Sequence, residues 1–387
     1  MIAYVVAADP NKTYSKRRHP LSPRRIFIAL SWACVLSFAF LILSPAVFHA
    51  APQNSGYRVL RTIPLGGEGG WDYVTVDSAA RRVYIPRSTH ILVIDADSGK
   101  QIADIQGMNG IHGVAVAPEF NRGFVTGNKT EQEGTVYVFD LKTLMLASSM
   151  KSNSIDTDSL LYDPSTKRVY VNNGDGMNLT VVDAATAKVV GAMPFNANPE
   201  AAAADGKGSI FQDYEDKGQV IEYDAMKLTI KNKWATPGCD APVGMAMDKV
   251  NRRLYIGCRG KGATAPGVLI VMNADNGKVV ASMPIAIGVD GDVFDPETGN
   301  VYATCRDSGD GKSGATYIFH ADSPDKISLV ATVKTIYGAR TVALDSKTHH
   351  IFTIGTEKND PVPPTAKNPN PRPKPDLSTF ELLEIGK

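Results

Sequence analysis

The sequence predicts an all-β fold, a seven-bladed β-propeller closed by an N-terminal strand, and three observations predict it. First, an apolar run ending in a marker residue, a polar turn and an apolar–aromatic pair recur seven times along the 387 residues. Second, the markers lie 40 to 50 residues apart, a period typical of propeller blades. Third, one strand-like segment precedes the first repeat, and the last repeat lacks one. The seven markers are Asp77, Ala117, Asp163, Asp205, Asp248, Asp295 and Asp345.

The first repeat shows how one blade is built. Four strand-like segments lie at residues 71–76, 82–86, 91–95 and 101–105, with polar turns between them. Short strands separated by turn residues form one antiparallel blade. The third segment ends in Asp95, and most other repeats have Asp or Asn at this place. We expect the side-chain oxygen of this residue to cap the turn that follows.

The two ends of the chain are expected to complete one blade together. The last repeat supplies only three strand-like segments, at residues 339–345, 350–353 and 380–385. Residues 57–64 are strand-like but precede the first repeat. If they form the missing fourth strand, the ring closes and the open edge that would otherwise invite aggregation is removed. The sequence therefore predicts a propeller over residues 57–387.

A proline-rich segment at residues 360–377 interrupts the last repeat. Proline lacks the N–H donor that a sheet ladder needs, so we expect an extended loop and not sheet. Two interpretations remain open. The segment is either a solvated excursion, or a flap or partner-docking element.

Residues 1–50 predict export. Six basic residues against Asp9 give this segment a net charge of +5, which leaves −4 for the rest of a chain whose total is +1. The apolar run at 26–48 follows the basic stretch, as in a signal peptide, and is also long enough for an uncleaved signal anchor. Arg24 and Arg25 leave the general and twin-arginine export routes open. We expect a periplasmic or secreted protein, or one that this segment anchors to the inner membrane.

Three cysteines follow this segment. Cys239 precedes the first strand of the fifth repeat and Cys258 ends its second strand, so antiparallel pairing brings them to one rim. An exported protein permits a disulfide between them, which would leave Cys305 free. Metal binding by the three cysteines is the alternative, although no Cys-x-x-Cys spacing supports it.

Alignment of the repeats predicts a set of charged residues at the mouth of the central channel. Five residues before each marker, where the innermost strands begin, six of the seven repeats have an ionisable residue and the fifth has Val243. The next positions inward are mostly small or apolar. We call the six residues the crown: Asp72, His112, Asp158, Glu200, Asp290 and Arg340.

Three interpretations of the crown remain open. Its carboxylates and imidazole suit a divalent cation, the one cofactor that the sequence suggests without requiring it. The guanidinium of Arg340 favours a polar small molecule that its planar fork can bind. In the third interpretation the charges simply pair with one another at a wet channel mouth.

Motifs for nucleophilic catalysis are missing from the sequence. There is no Gly-x-Ser-x-Gly motif, and His112 has no evident Ser or Cys partner. His349 and His350 fall in a polar turn of the last repeat, where we expect them to be solvated. We therefore assign no catalytic residue.

Several phrases together resemble the YncE-like family of exported YVTN-repeat β-propellers. The resemblance covers residues 57–387 and implies a seven-bladed propeller in the periplasm or outside the cell, without a common reaction. It also supports the pairing of Cys239 with Cys258. The phrases include Gly69-Gly70-Trp71-Asp72-Tyr73, Ala204-Asp205-Gly206-Lys207-Gly208, Gly238-Cys239, Gly257-Cys258, Asp295-Pro296-Glu297-Thr298-Gly299 and Gly338-Ala339-Arg340-Thr341.

The sequence thus favours a non-enzymatic propeller that binds a small polar ligand or an envelope protein over its channel. A metal-assisted hydrolase or lactonase that uses the crown is the alternative. A purely structural envelope protein is the third. We expect a monomer that touches the membrane only through an uncleaved N-terminal segment. The mildly acidic body argues against nucleic acid as a partner, since nucleic-acid binders show a basic face.

Overall fold

A computed structural model describes residues 55–262, 264–369, 371 and 373–387. Within them the chain is almost entirely β, with 29 strands and three single-turn 3-10 helices at Pro118–Phe120, Glu215–Lys217 and Leu377–Thr379. None of the helices in this part of the chain has the length and apolarity needed to cross a bilayer. The predicted signal peptide or anchor at residues 1–50 lies outside the described residues.

After the first strand, β1 (Arg58–Pro64), the chain forms four sheets of four consecutive antiparallel strands. The first contains β2 (Thr75–Asp77), β3 (Arg82–Arg87), β4 (His90–Asp95) and β5 (Gln101–Ile105). The second contains β6 (Val114–Ala117), β7 (Arg122–Thr130), β8 (Glu133–Asp140) and β9 (Met145–Lys151). The third contains β10 (Thr157–Asp163), β11 (Arg168–Asn173), β12 (Asn178–Asp183) and β13 (Lys188–Pro194). The fourth contains β14 (Pro199–Ala204), β15 (Ser209–Tyr214), β16 (Gln219–Asp224) and β17 (Thr229–Ala235).

The fifth and sixth repeats share one seven-stranded sheet. It contains β18 (Pro242–Asp248), β19 (Arg253–Cys258), β20 (Pro266–Asn273), β21 (Val279–Asp295), β22 (Asn300–Asp307), β23 (Ser313–Ser323) and β24 (Lys326–Ile336). The two repeats merge because β21 runs on for 17 residues without a turn. Its first part pairs with β20 and its second with β22, and Ile287 has a partner in both.

The last sheet joins the two ends of the described chain. It contains β25 (Val342–Asp345), β26 (His350–Thr356), β29 (Phe380–Gly386) and β1, in the spatial order β1-β29-β26-β25. β1 pairs antiparallel with β29 from Arg58↔Gly386 to Pro64↔Glu381. The segment at 57–64 therefore supplies the fourth strand of this sheet.

Three predicted elements need correction. The first strand of the last repeat, β25 (Val342–Asp345), is shorter than the predicted 339–345. The first strand of the first repeat is shorter than the predicted 71–76, because Tyr73 N–H donates to the carbonyl of His112 and not to β3. The proline-rich segment is not free of sheet: β27 (Asn359–Asp360) and β28 (Lys374–Pro375) form a two-residue ladder at its base. The ladder forms where three of the four residues retain an N–H donor.

The repeated Asp residues are turn caps, as predicted for the third strands. Asp95 accepts from Ser98 N at 2.7 Å and Asp183 accepts from Thr186 N at 2.7 Å. The markers act alike: Asp205 accepts from Lys207 N at 2.7 Å. The second repeat has Ala117 at the marker position, and there the 3-10 helix Pro118–Phe120 makes the turn instead. The Asp residues thus recur because each strand pair needs the same tight turn.

The core lies between neighbouring sheets. The aromatic residue of each apolar–aromatic pair stands on the second strand of its repeat and is fully buried, the set being Tyr84, Phe124, Tyr170, Phe211, Tyr255, Tyr302 and Phe352. Several reach across to the next sheet: Tyr84 lies 5.6 Å from Phe139 and Tyr170 lies 6.2 Å from Tyr223, measured between ring centroids. Each sheet therefore buries its faces against its neighbours. The last and first sheets also meet, because Arg81 binds the buried carboxylate of Asp345 at 2.6 Å.

Candidate functional site

The structure brings all six crown residues into one connected network. Asp158, Glu200 and Asp290 lie on β10, β14 and β21. The other three stand a few residues before β2, β6 and β25. Val243, which replaces a charge in the fifth repeat, is fully buried on β18.

His112 connects the first three sheets. Its Nδ1 lies 2.9 Å from Asp72 Oδ2 and 3.3 Å from Asp158 Oδ1. Burial lowers the pKa of His112, but the hydrogen bond to Asp72 and the negative charges of Asp72, Asp156 and Glu200 outweigh it and raise the pKa above its ordinary value. The two neighbouring carboxyl groups therefore stabilise the protonated form of the imidazole relative to a free histidine.

Arg340 connects the last sheet to both its neighbours. Its Nε lies 2.6 Å from Asp290 Oδ2, and its second amino group lies 3.4 Å from Asp72 Oδ1. Thr341 holds the same corner by donating to the carbonyl of Asp72 at 2.8 Å. The guanidinium thus spans two carboxylates of the crown.

Arg259 is a further cation of this network that the repeat alignment missed. It binds Asp290 directly, lies 2.8 Å from Glu215 and reaches to 4.0 Å from Glu200. The residue follows the end of β19, outside the inner strands on which the alignment counted. The one hint in the sequence is its position: Arg259 directly follows Cys258, which is predicted to lie at the rim with Cys239.

Glu200 is a buried carboxyl group of the crown, and its one ion-pair partner among the described residues, Arg259, lies at the long distance of 4.0 Å. Tyr73 O–H donates to its Oε1 at 2.7 Å. Burial and the charge of Asp158 raise the pKa of Glu200 to about 8. Burial and the charges of Asp72 and Asp156 likewise raise the pKa of Asp158. Carboxyl groups outnumber cations here, so the surroundings of both groups favour the protonated form.

A cavity of about 200 Å³ lies directly inside the crown. Its lining comes from all seven inner strand segments, among them Val74, Val114, Leu160, Ala202, Met245, Asp292 and Val342. A second cavity of about 310 Å³ continues toward the opposite end and shares Ala202, Met245 and Asp292 with the first. Together they form a channel with both polar and apolar walls, more polar than the sequence predicts, and Asp292 is a carboxyl group in its lining that the sequence did not single out.

One group in the described part of the chain has the spacing of metal ligands. Oxygen or nitrogen atoms of Asp72, His112 and Asp158 lie within 4.8 Å of one another. Two carboxylates and one imidazole suit several divalent metals. The crown can thus hold a cation at this corner or a polar ligand across the mouth.

The structure contains the predicted disulfide between Cys239 and Cys258, with Cα atoms 5.3 Å apart. Cys305 is a buried free thiol. The alternative of metal binding by the three cysteines is therefore wrong. His349 and His350 are not simply solvated, because their Nδ1 atoms lie 2.9 Å from Asp295 and 2.7 Å from Glu384.

No family model matches the sequence, and no curated protein matches it. Solved structures do match. A structure of U3-55K is 9% identical with a TM-score of 0.67, covering 86% of this chain and 99% of that one. The WD40 repeats of RRP9 are 9% identical with a TM-score of 0.66, covering 87% and 99%. The hydrazine synthase of Kuenenia stuttgartiensis is 15% identical with a TM-score of 0.63, covering 74% and 92%.

Likeness at such low identity shows the fold and nothing of the function. The chain is an all-β protein with a β-propeller fold, which confirms the predicted fold class at that level. Kinship with the YncE-like family stays a prediction.

Proposed function

We propose that the protein is an exported seven-bladed propeller of the YncE-like kind that binds a small polar ligand or an envelope protein at its crown, without catalysis. Two observations support seven blades. Seven inner strand segments line one cavity, and β1 pairs with β29 while Arg81 ties the last sheet to the first. The signal-like segment at residues 1–50 supports a periplasmic or envelope location.

One observation carries the binding proposal. The crown gathers ionisable side chains from six repeats over the mouth of a channel, and its carboxyl groups outnumber its cations. Burying carboxyl groups without enough cations costs stability. If the crown served only to stabilise the fold, we would expect each of its carboxyl groups to form an ion pair. A ligand that brings hydrogen-bond donors or positive charge offsets that cost.

A second candidate rests on the close approach of Asp72, His112 and Asp158. A divalent metal there would act as a Lewis acid or lower the pKa of a bound water, as in a hydrolase or lactonase. WD40-like neighbours also make a protein partner a natural occupant of the same face. We also propose that the protein is a monomer and does not bind nucleic acid.

Native mass spectrometry with elemental analysis tests these functions. The full chain is purified from the cell envelope as the wild type, as Asp158→Ala/Glu200→Ala and as the control Asp104→Ala, which lies on the outer strand β5. A bound small molecule lost only in the crown variant supports ligand binding. A stoichiometric metal lost in that variant supports the hydrolase. Clean apo masses in all three contradict both and leave a protein partner to be sought.

A further inference from the structure

Apolar side chains surround the end of the channel opposite the crown. They stand one residue before each marker, one in every repeat, and we call this set the collar. Its members are Val76, Val116, Tyr162, Ala204, Met247, Phe294 and Leu344. Five of the seven are only partly buried, although all seven are apolar or aromatic. Exposed apolar side chains that are grouped in this way mark binding sites more often than those that stand alone.

The lower cavity, of about 310 Å³, lies inside the collar. Five collar residues line it, together with residues deeper in the channel such as Leu161, Ala202 and Met245. Ligand sites are typically cavities of roughly 300 to 1,000 Å³ with mostly apolar walls and a few polar groups. A helix, which is about 10 Å across, would fill this volume with less than one turn. The cavity therefore suits a slender molecule and not a folded segment of a partner.

Three of the fifteen lining residues are charged, and two of them are not available to a ligand. Asp163 is 2% exposed and accepts hydrogen bonds from two hydroxyl groups of its own turn at 2.7 Å and 2.9 Å. Both carboxyl oxygens of Asp292 are buried. They pack against the neighbouring strands, because a Cβ atom on Gly244 or Gly257 would lie 2.6 Å or 2.5 Å from Oδ2.

The third charged residue, Lys249, can reach a ligand. It follows the marker Asp248 at the rim of the collar, and its side chain is exposed. Its Nζ lies beside Gly206, where an added Cβ atom would be 3.9 Å away. Among the described residues it forms no ion pair, and the adjacent Asp205 pairs with Arg252 instead, at 3.4 Å. An anionic group at this mouth would therefore find an ammonium group that no carboxylate occupies.

We propose that the lower cavity binds the alkyl chain of a single-chain amphiphile, such as a fatty acid, whose anionic head pairs with Lys249. The chain covers the exposed parts of Leu161, Phe294 and Leu344, and each buried methylene group adds affinity. At about 30 Å³ for each non-hydrogen atom, the volume of one liquid water, the cavity holds roughly ten atoms, which matches a carboxylic acid of about eight carbons. The site lies at the other end of the channel from the crown and does not depend on the function proposed there.

Isothermal titration of the full chain in a detergent-free buffer tests the inference. The probes are butanoate, hexanoate, octanoate and dodecanoate, each below its micelle concentration, and octylamine. We expect the affinity to rise about fourfold for each added methylene group up to octanoate, and to rise little beyond it. Octylamine has the same alkyl chain as octanoate with a cationic head, and it should bind more weakly.

Two variants locate the head and the chain. Lys249→Glu should weaken octanoate by about fivefold and strengthen octylamine, because an exposed charge contributes modestly and its sign is reversed. Ala202→Leu adds bulk where the two cavities meet and should weaken octanoate more than butanoate. The control Lys347→Ala changes an exposed lysine at a turn of the last sheet, outside the lining, and should bind like the wild type.

Three results overturn the inference. An affinity that does not depend on chain length would show that no alkyl chain is buried, and this comparison needs no variant. Unchanged preference for octanoate over octylamine in Lys249→Glu would place the head elsewhere. A chain-length dependence that Ala202→Leu leaves intact would place the chain outside the channel. The one-chain phospholipid 1-octanoyl-lysophosphatidylglycerol distinguishes the source: binding tighter than that of octanoate supports a membrane lipid, and weaker binding supports a free acid.

Discussion

Removal of the Cys239–Cys258 disulfide gives a prediction whose size follows from the structure. The bond closes a loop with a sequence separation of 19 residues. Chain-entropy arguments assign a cross-link of this length about 3 kcal/mol, mainly because it restricts the unfolded chain. For a protein of this size that energy corresponds to about 4 °C in melting temperature. We therefore expect Cys239→Ala/Cys258→Ala to melt about 4 °C below the wild type without reductant.

The assay is thermal unfolding of the full chain followed by tryptophan fluorescence, with and without dithiothreitol. Trp71 and Trp234 report on packed regions, since they contact Phe380 and Phe211. The matched control is Cys305→Ala, which removes a buried sulfur without breaking a bond and should lower the melting temperature by only about 1 °C.

Reductant separates the bond from simple packing. Dithiothreitol should lower the melting temperature of the wild type and of Cys305→Ala, and should leave the double variant unchanged. A wild type that is insensitive to dithiothreitol, or a double variant as stable as the wild type, would refute the reasoning.

Three further predictions concern ring contacts, pH and the proline-rich loop. Arg81→Ala should lower the free energy of unfolding in urea by about 3 kcal/mol, since it leaves the buried Asp345 carboxylate without its cation. The control is Lys167→Ala, at a turn with the same positive φ, which should change stability little. Equal losses in the two variants would contradict this prediction. Folding raises the pKa of Asp292, because its buried carboxyl group is more stable in the protonated form. The wild type therefore has its full stability only below the ordinary pKa of an aspartate and loses stability as the pH rises toward 8. Asp292→Asn should therefore gain about 2 kcal/mol or more over the wild type between pH 5 and pH 9, measured by urea unfolding; a constant difference would show that the carboxyl group is not buried as described. Replacing residues 361–373 by a short Gly-Ser linker should leave the melting temperature unchanged, because the described part of this loop is mostly exposed; a large drop would mean that it packs on the propeller.

Much of the fold is readable from the sequence because one turn geometry repeats. The Asp residues that cap the turns mark strand ends, so β5 (Gln101–Ile105) falls where the repeat predicts it. The pairing of β1 with β29 also follows from counting strands. The long strand β21 is not predictable in this way, since nothing local distinguishes a strand that continues into the next repeat from one that turns.

The candidate site was only partly accessible to the same reasoning. Counting back from the markers finds the crown, because strand starts keep their register from repeat to repeat. It does not find Arg259, whose loop has no counterpart in the count. Asp292 was within reach of the alignment, but its importance depends on burial and on the glycines opposite, which only the structure shows.

The central claim is that the channel holds carboxyl groups that lack cations and that a ligand supplies them. Infrared spectroscopy of the full chain at pH 7 tests this most directly, because a protonated carboxyl group has a C=O band distinct from that of a carboxylate. We expect this band in the wild type, and we expect it to weaken in Glu200→Gln and in Asp292→Asn. A spectrum without the band at pH 7, or one that neither variant changes, would contradict the account.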